Sequence, residues 1–254
     1  MIINKVYHLA DLHIRNLQRH KEYKLVFNKF LKQVKQDNIE DSLIYIAGDI
    51  AHAKTEMSPE LVHEISWFLT ECAKLRETVI ITGNHDCNLN NSHRLDVLTP
   101  IIQNLGNDRI HYLRDTGVYN IHNLTFVVYS ILDDKENWPK GDTVDGENTI
   151  CLFHGPVNKA QTDIGYTVSS NSFQVDMFDG FDMAMLGDIH KRQTFGEGYE
   201  HIAYAGSMIQ QNHGELLENH GYLLWDIPTR TFTQHHIHND YGFLTVDVVD
   251  GKIP

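Results

Sequence analysis

The chain has 254 residues and a formal net charge of −13, and this length suits one large α/β domain. So acidic a chain is not expected to bind polyanions indiscriminately, because phosphate backbones are held mainly by lysine and arginine, and any contact with nucleic acid must be local. No apolar stretch reaches the roughly 18 residues of a membrane span, and the N-terminus lacks the pattern of a secretory signal. The three cysteines are widely spaced. They favour a reducing intracellular compartment, cytoplasm or nucleoid, over a disulfide framework.

Five short apolar runs along the chain end abruptly in polar residues. In chain order, KVYHLA precedes Asp11 and His13, SLIYIAG precedes Asp49, TVIITG precedes Asn84 and His85, TICLF precedes His154, and MAML precedes Asp188 and His190. Short continuous apolar runs rich in β-branched residues are typical of strands that are buried on both faces.

Three segments in the first half carry helical periodicity. Apolar residues recur at helical spacing in residues 23–34. Ser58 and Pro59 are a typical N-cap and first helical residue for a second helix, and residues 94–105 form a third amphipathic segment. The alternation of strands and helices predicts parallel strands with helices covering the sheet.

The second half has a different pattern. The runs GVYNIHNLTFVVYSI, HIAYAGS, GYLLWDI and TFTQHHIH read as short strands between turns, which favours antiparallel additions to the sheets. Residues 239–254 look like the start of a new strand that follows the main body. We therefore expect a first domain over residues 1–238 and the truncated start of a capping or DNA-binding domain over residues 239–254.

The polar residues at the strand ends indicate a metal site. In open α/β sheets, ligands bind beyond the carboxyl ends of the strands, where loops converge. One aspartate at such an end is explained by helix capping, but capping does not explain the whole set. Oxygen and imidazole ligands without thiolates suit Mn²⁺, Mg²⁺, Fe²⁺ or Zn²⁺. Two ions about 3.5–4 Å apart that share a carboxylate would use all the ligands and favour phosphoester hydrolysis.

The polar motifs resemble those of a known family. They are Asp11-Leu-His13, Gly48-Asp49, Gly83-Asn84-His85-Asp86, His154-Gly155 and Gly187-Asp188-Ile189-His190. This ordered set resembles the calcineurin-like metallophosphoesterases, which implies an α/β fold, a four-layer αββα sandwich with mixed sheets. A closer resemblance, to SbcD-type DNA repair nucleases, rests on GDIAH at 48–52, YAGSMIQ at 204–210 followed by Gly214-Glu215, and GYLLWD at 221–226.

The resemblance implies a role for each site residue. The first ion would be held by Asp11, His13, Asp49 and His190, and the second by Asp49 as a bridge, Asn84, His154 and Asp188. As catalytic residues, His85 would approach the scissile phosphate and stabilise charge or protonate the leaving oxygen, Asp86 would orient His85, and His52 would help to place the phosphate.

Asp188 departs from the family pattern, which has histidine at this position. The added carboxylate makes the site more anionic and harder, which favours Mn²⁺, with Mg²⁺ or Fe²⁺ as alternatives. Alternatively, Asp188 lies outside the ligand sphere and orients His190.

A basic stretch follows the first predicted ligands. Residues 14–36 contain seven basic residues and one acid, which indicates either a patch for a DNA backbone or an ordinary solvated helix face. The DNA-binding candidates are Arg15, Arg19 and Lys21, which lie nearest the site, together with Lys191 and Arg192, which follow His190.

The resemblance implies a metal-dependent DNA exonuclease or endonuclease that hydrolyses phosphodiesters with a hydroxide held by two metal ions. It also implies an SbcC-type coiled-coil ATPase as partner and a homodimer, for which Trp67 and Leu69 are interface candidates. Two alternatives stay open: a phosphatase or cyclic-nucleotide phosphodiesterase of the same fold, and a non-catalytic scaffold.

Overall fold

The computed structural model describes residues 1–169, 171–248 and 250–252, and its strands form two six-stranded sheets. The first sheet contains β1 (Lys5–Leu9), β2 (Ser42–Ile46), β3 (Thr78–Ile80), β4 (Ile110–Tyr112), β11 (Gly221–Asp226) and β12 (Thr231–His236). The second contains β5 (Gly117–Ile121), β6 (Leu124–Tyr129), β7 (Thr149–His154), β8 (Met183–Gly187), β9 (Gln193–Thr194) and β10 (Ile202–Tyr204). The α-helices are α1 (His20–Asp37), α2 (Pro59–Leu75) and α3 (Leu98–Leu105).

Both sheets are mixed. The first has the order β12-β11-β1-β2-β3-β4, with β1 to β4 parallel and β11 and β12 antiparallel to their neighbours. The second has the order β5-β6-β7-β8-β10-β9, with β6, β7, β8 and β10 parallel. Antiparallel pairing is thus confirmed for β5, β11 and β12. It is wrong for β6 with β7 and for β10 with β8, because long connections return the chain to the same end of the sheet.

The two sheets pack face to face over a shared apolar core. Val6 and Tyr45 of the first sheet meet Phe126 and Met185 of the second in this layer. The other face of the first sheet is covered by α1, α2 and α3, whereas loops and short 3₁₀ turns cover the second. The predicted αββα layers are confirmed, with 3₁₀ turns in the fourth layer. Within the described residues, no helix has the length and apolar character needed to cross a bilayer.

Three local expectations differ from the structure. The third helix begins at Leu98 rather than near residue 94, because the Asp96 carboxylate accepts the first free amides, from Leu98 and Thr99. Leu69 is fully buried in the core and so cannot form a dimer interface in this fold. Residues 241–248 form no strand, since most of their apolar side chains are exposed and no neighbouring strand pairs with them in the described chain. The division into domains at residue 239 stays a prediction.

Gly187 ends β8 where the two sheets approach each other. A Cβ atom there would lie 2.2 Å from the carbonyl oxygen of Ala47 and 2.8 Å from Nδ1 of His154. Only glycine therefore lets β2 and β8 approach this closely.

We expect Gly187→Ala to lower the free energy of unfolding by about 1–3 kcal/mol, because the added methyl overpacks this contact. Urea denaturation measures the change. The control is Gly106→Ala, because a Cβ at this position meets nothing within 4 Å. Its φ of +53° is unfavourable for alanine, so about 1–2 kcal/mol of backbone strain is expected. The alanine at position 187 should also weaken Mn²⁺ binding, and the control should not. Unchanged Mn²⁺ affinity in Gly187→Ala would contradict this account.

Candidate metal centre

The predicted ligands converge from both sheets. Asp11 and His13 follow β1, Asp49 follows β2, His154 ends β7 and Asp188 follows β8. Three glycines beside these residues leave room for the convergence, and a Cβ on each of Gly48, Gly83 and Gly187 would lie less than 3 Å from a neighbouring atom.

Several candidate ligand residues have positive φ angles, which residues other than glycine rarely adopt. The φ angles are +53° for Asp11, +45° for His13, +52° for Asp49 and +97° for Asp188. Each positive φ in a non-glycine residue costs of order 1–3 kcal/mol, and such residues concentrate at functional sites. The surrounding packing holds these four residues in place against that cost.

The first ligand cluster is formed by Asp11, His13 and His190, whose ligand atoms lie within 4.8 Å of one another. The Nε2 atoms of His13 and His190 are 3.0 Å apart, and Nε2 of His13 is 3.4 Å from Oδ2 of Asp49. Two imidazole lone pairs this close repel unless a proton or a cation lies between them. The cluster therefore fits a divalent ion.

The second cluster is formed by Asp11, Asp49 and His154, also within 4.8 Å of one another. Nε2 of His154 lies 3.3 Å from Oδ1 of Asp49 and 3.8 Å from Oδ1 of Asp188. The amide group of Asn84 is 3.0 Å from the same Nε2 and 3.2 Å from each Asp49 oxygen. Asp11 belongs to both clusters, although it was predicted for the first ion only. Asp49 belongs to the second cluster and also lies near His13 of the first, so its role as the bridge stays a prediction.

Hydrogen bonds at Nδ1 leave Nε2 of two histidines directed at the clusters. Nδ1 of His154 lies 2.6 Å from the Ala47 carbonyl oxygen, and Nδ1 of His190 lies 2.7 Å from Oε1 of Glu215. Partners of this kind fix the tautomer and the ring orientation of metal-binding histidines. Glu215 rather than Asp188 is therefore the partner that orients His190. Whether Asp188 is itself a ligand stays a prediction. Asp188 uses its backbone amide to donate to Asp11 at 3.1 Å.

The charges of the site are those of a cation site. Burial raises the pKa of Asp11 to about 7 and also raises the pKa of Asp188. Despite burial, which opposes the shift, Asp49, Asp11 and Asp188 raise the pKa of His154 well above its usual value. Buried carboxylates this close are disfavoured as charged groups unless they take up protons or have positive charge beside them, and divalent ions would supply that charge.

His85 lies at the edge of the clusters beside His52. Its Nδ1 is 2.6 Å from the His52 carbonyl oxygen, and its backbone amide donates to Oδ1 of Asp49 at 2.8 Å. Its ring centroid is 4.6 Å from that of His13 and 5.5 Å from that of His52. These contacts favour Nε2 of His85 as the atom that faces a substrate.

Asp86 does not orient the His85 ring as expected. Its carboxylate accepts the backbone amides of Ala51 at 2.8 Å, Gly83 at 2.9 Å and Ile50 at 3.3 Å. Within the described chain its hydrogen bonds thus join the loops after β2 and β3, and the direct partner of His85 is the His52 carbonyl.

The predicted DNA-binding residues divide into two groups. Arg19 pairs with Glu22 and donates to the Gln210 carbonyl, and Arg192 donates to the carbonyls of Ala205 and His235. These internal contacts favour structural roles for both arginines.

The other basic residues lie closer to the clusters or to solvent. The Arg15 guanidinium lies 3.1 Å from Nε2 of His52 and, like Arg19 and Arg192, also donates to a backbone carbonyl, that of Gln211 at 3.0 Å. Lys21 is exposed, and Lys191 lines a cavity together with His190. Lys54, which the sequence analysis missed, donates to the Asn84 carbonyl at 3.3 Å. The sequence places Glu215 in the Gly214-Glu215 motif but indicates no role for it.

Comparison with known proteins agrees with this geometry. The family model for calcineurin-like phosphoesterases matches residues 4–192. The chain belongs to the calcineurin-like phosphoesterase family. It is also 41% identical over 262 residues to Uncharacterized protein R555 of Acanthamoeba polyphaga mimivirus, an alignment that covers 99% of this chain and 19% of that relative. The family part of the resemblance is thereby confirmed, and a metal-dependent phosphoester hydrolase is the activity that the family implies.

We expect Glu215→Ala to weaken the binding of one of two Mn²⁺ ions by about 10- to 100-fold, because His190 loses the partner that orients it. Isothermal titration calorimetry resolves the two affinities. Glu218→Ala, an exposed acid of the same loop, is the matched control and should bind both ions as the parent does. If both variants behave alike, Glu215 does not position His190.

Asp188→Ala is expected to bind one Mn²⁺ ion at concentrations where the parent binds two, because the second cluster loses a carboxylate. Asp188→His should restore the second ion, since imidazole is also a ligand. Asp133→Ala, an exposed acid of the neighbouring cavity, serves as control. A full complement of two ions in Asp188→Ala at unchanged affinity would exclude Asp188 as a ligand.

Proposed function

We propose that this protein is a manganese-dependent DNA nuclease of the SbcD type, acting as an exonuclease or an endonuclease. The observation that carries the proposal is the placement of His52. Its ring stacks near His85, and Arg15 contacts its Nε2 atom. Beyond the metal ligands, the His85 imidazole thus lies nearest to a phosphate that would have a nucleotide on each side. His52 and Arg15 lie beside it and are held against each other.

Divalent ions held by the two clusters would lower the pKa of a bound water and neutralise charge on the phosphoryl oxygens. The side chains of the site supply the other parts of the reaction. Because the His52 carbonyl accepts Nδ1–H of His85, a protonated His85 presents Nε2–H to the leaving oxygen. Positioned general acids of this kind contribute about 10²–10⁴-fold to the rate.

Local basic groups support a contact with a DNA backbone in an otherwise acidic chain. Arg15, Lys54 and Lys191 lie at or beside the two clusters, whereas the net charge of the chain is −13. Phosphates would therefore be attracted mainly at the metal centre and at the residues around it.

We also propose, from the resemblance alone, an SbcC-type ATPase partner and a homodimer. The chain spans 19% of the length of the mimivirus relative. Of the two suggested interface residues, Trp67 is partly buried and is covered by the ammonium group of Lys24, 3.3 Å from its ring centroid.

The test compares the parent with His85→Ala on linear duplex DNA, a single-stranded oligonucleotide and p-nitrophenyl phosphate, each with Mn²⁺, Mg²⁺ or EDTA. We expect Mn²⁺ to support DNA cutting, EDTA to abolish it, and His85→Ala to lower it by about 10²–10⁴-fold, because the general acid is lost. His93→Ala, an exposed histidine of the next loop, should cut as the parent does.

Two results would overturn the proposal. Rapid hydrolysis of p-nitrophenyl phosphate without DNA cutting would identify a phosphatase. Cutting that persists in EDTA would exclude the metal mechanism.

A further inference from the structure

A cavity of about 570 Å³ opens beside the second ligand cluster and shares Asn84, His154 and Asp188 with it. This volume lies within the roughly 300–1,000 Å³ that is typical of ligand pockets. None of the roles assigned above uses the cavity. A group that entered it would lie next to a phosphate held at the metal centre.

The walls of the cavity are aromatic and aliphatic. Trp138 stacks on Tyr129, with ring centroids 4.7 Å apart and planes 12° apart, and packs against Phe173 at 5.9 Å. The indole NH donates to the Ser130 carbonyl, so the ring is fixed. Leu89 completes the wall and is 50% exposed. A rigid apolar surface of this kind suits a flat ring.

The rim of the cavity is acidic. Asp133, Asp134 and Glu136 line it together with one lysine, Lys135, and all four are exposed. Carboxylates repel a phosphate, so a second phosphate of the substrate is disfavoured here. They accept hydrogen bonds and cannot donate them, so they favour a neutral ring that carries an amino group.

We propose that this cavity binds the nucleobase of the nucleotide next to the scissile phosphodiester, and that it prefers adenine, cytosine or guanine, which carry amino groups, over thymine. This inference rests on the proposed nuclease function. It implies that the base is unstacked from its neighbour before the cut, so the substrate at the site is single-stranded or frayed. Aromatic walls are a common way to hold unstacked bases.

The test uses single-stranded oligonucleotides in which one phosphodiester can be cut and all others are phosphorothioates. Adenine, thymine or an abasic residue is placed on the 5′ or the 3′ side of that bond. We expect the abasic residue to lower kcat/KM by about tenfold on one side only, as for the loss of a stacked base, with thymine intermediate.

Leu89→Ala tests the protein side of the same contact. It should lower kcat/KM on the adenine substrate by about three- to tenfold and have no effect on the abasic one, because two changes to one contact are not additive. Leu95→Ala, an exposed leucine of the same loop, is the matched control. Mn²⁺ titration of both variants checks that the metal centre is intact.

The outcomes separate this inference from the function on which it rests. If the parent cuts all substrates equally well, or if Leu89→Ala slows the abasic substrate as much as the adenine one, the cavity does not hold a base although the protein is a nuclease. If the parent cuts no oligonucleotide, the nuclease function fails and the base site with it.

Discussion

The buried carboxylate of Asp49 is the group on which the rest of the site depends. It lies 3.4 Å from Nε2 of His13 and 3.3 Å from Nε2 of His154, and it accepts the backbone amide of His85. A Cβ on Gly83 would lie only 2.1 Å from its Oδ1 atom. Asp49 thus contacts histidines of both ligand clusters as well as the proposed general acid, and its burial is tolerable only if positive charge is supplied beside it.

The need for positive charge beside Asp49 links the fold to metal binding. The ligands come from the ends of strands in both sheets, so the site exists only when the sheets are packed together. Because His154 of the second sheet is held by the Ala47 carbonyl of the first, this contact connects the two layers directly at the site. A ligand that binds only the folded state stabilises it, and cations at these clusters would join the two sheets in the same way.

The strands and the positions of most candidate ligands could be predicted because their signals are local. An apolar run that ends in Asp11 or His154 is visible in a few residues, and buried strands place such ends at one edge of a sheet. The orienting contacts have no local signal. Glu215 lies 25 residues beyond His190, in a segment without periodicity, and the partners of His85 and His154 are backbone carbonyls. Asp86 was assigned to the wrong partner because adjacency in sequence does not show that its carboxylate turns back to the amides of Ala51 and Gly83.

Under the proposed function, charge also explains how an acidic chain could act on a polyanion. The positive groups near the site are few and stand beside the clusters, with Arg15 on His52 and Lys54 on the Asn84 carbonyl. Acids such as Asp134 surround the adjoining cavity. A phosphate would therefore be favoured at the metal centre, and the acids around the adjoining cavity would repel a phosphate placed there. Under the proposed function, net negative charge contributes to selection of the cut bond, and affinity for the backbone is left to the metal centre and a small number of cations.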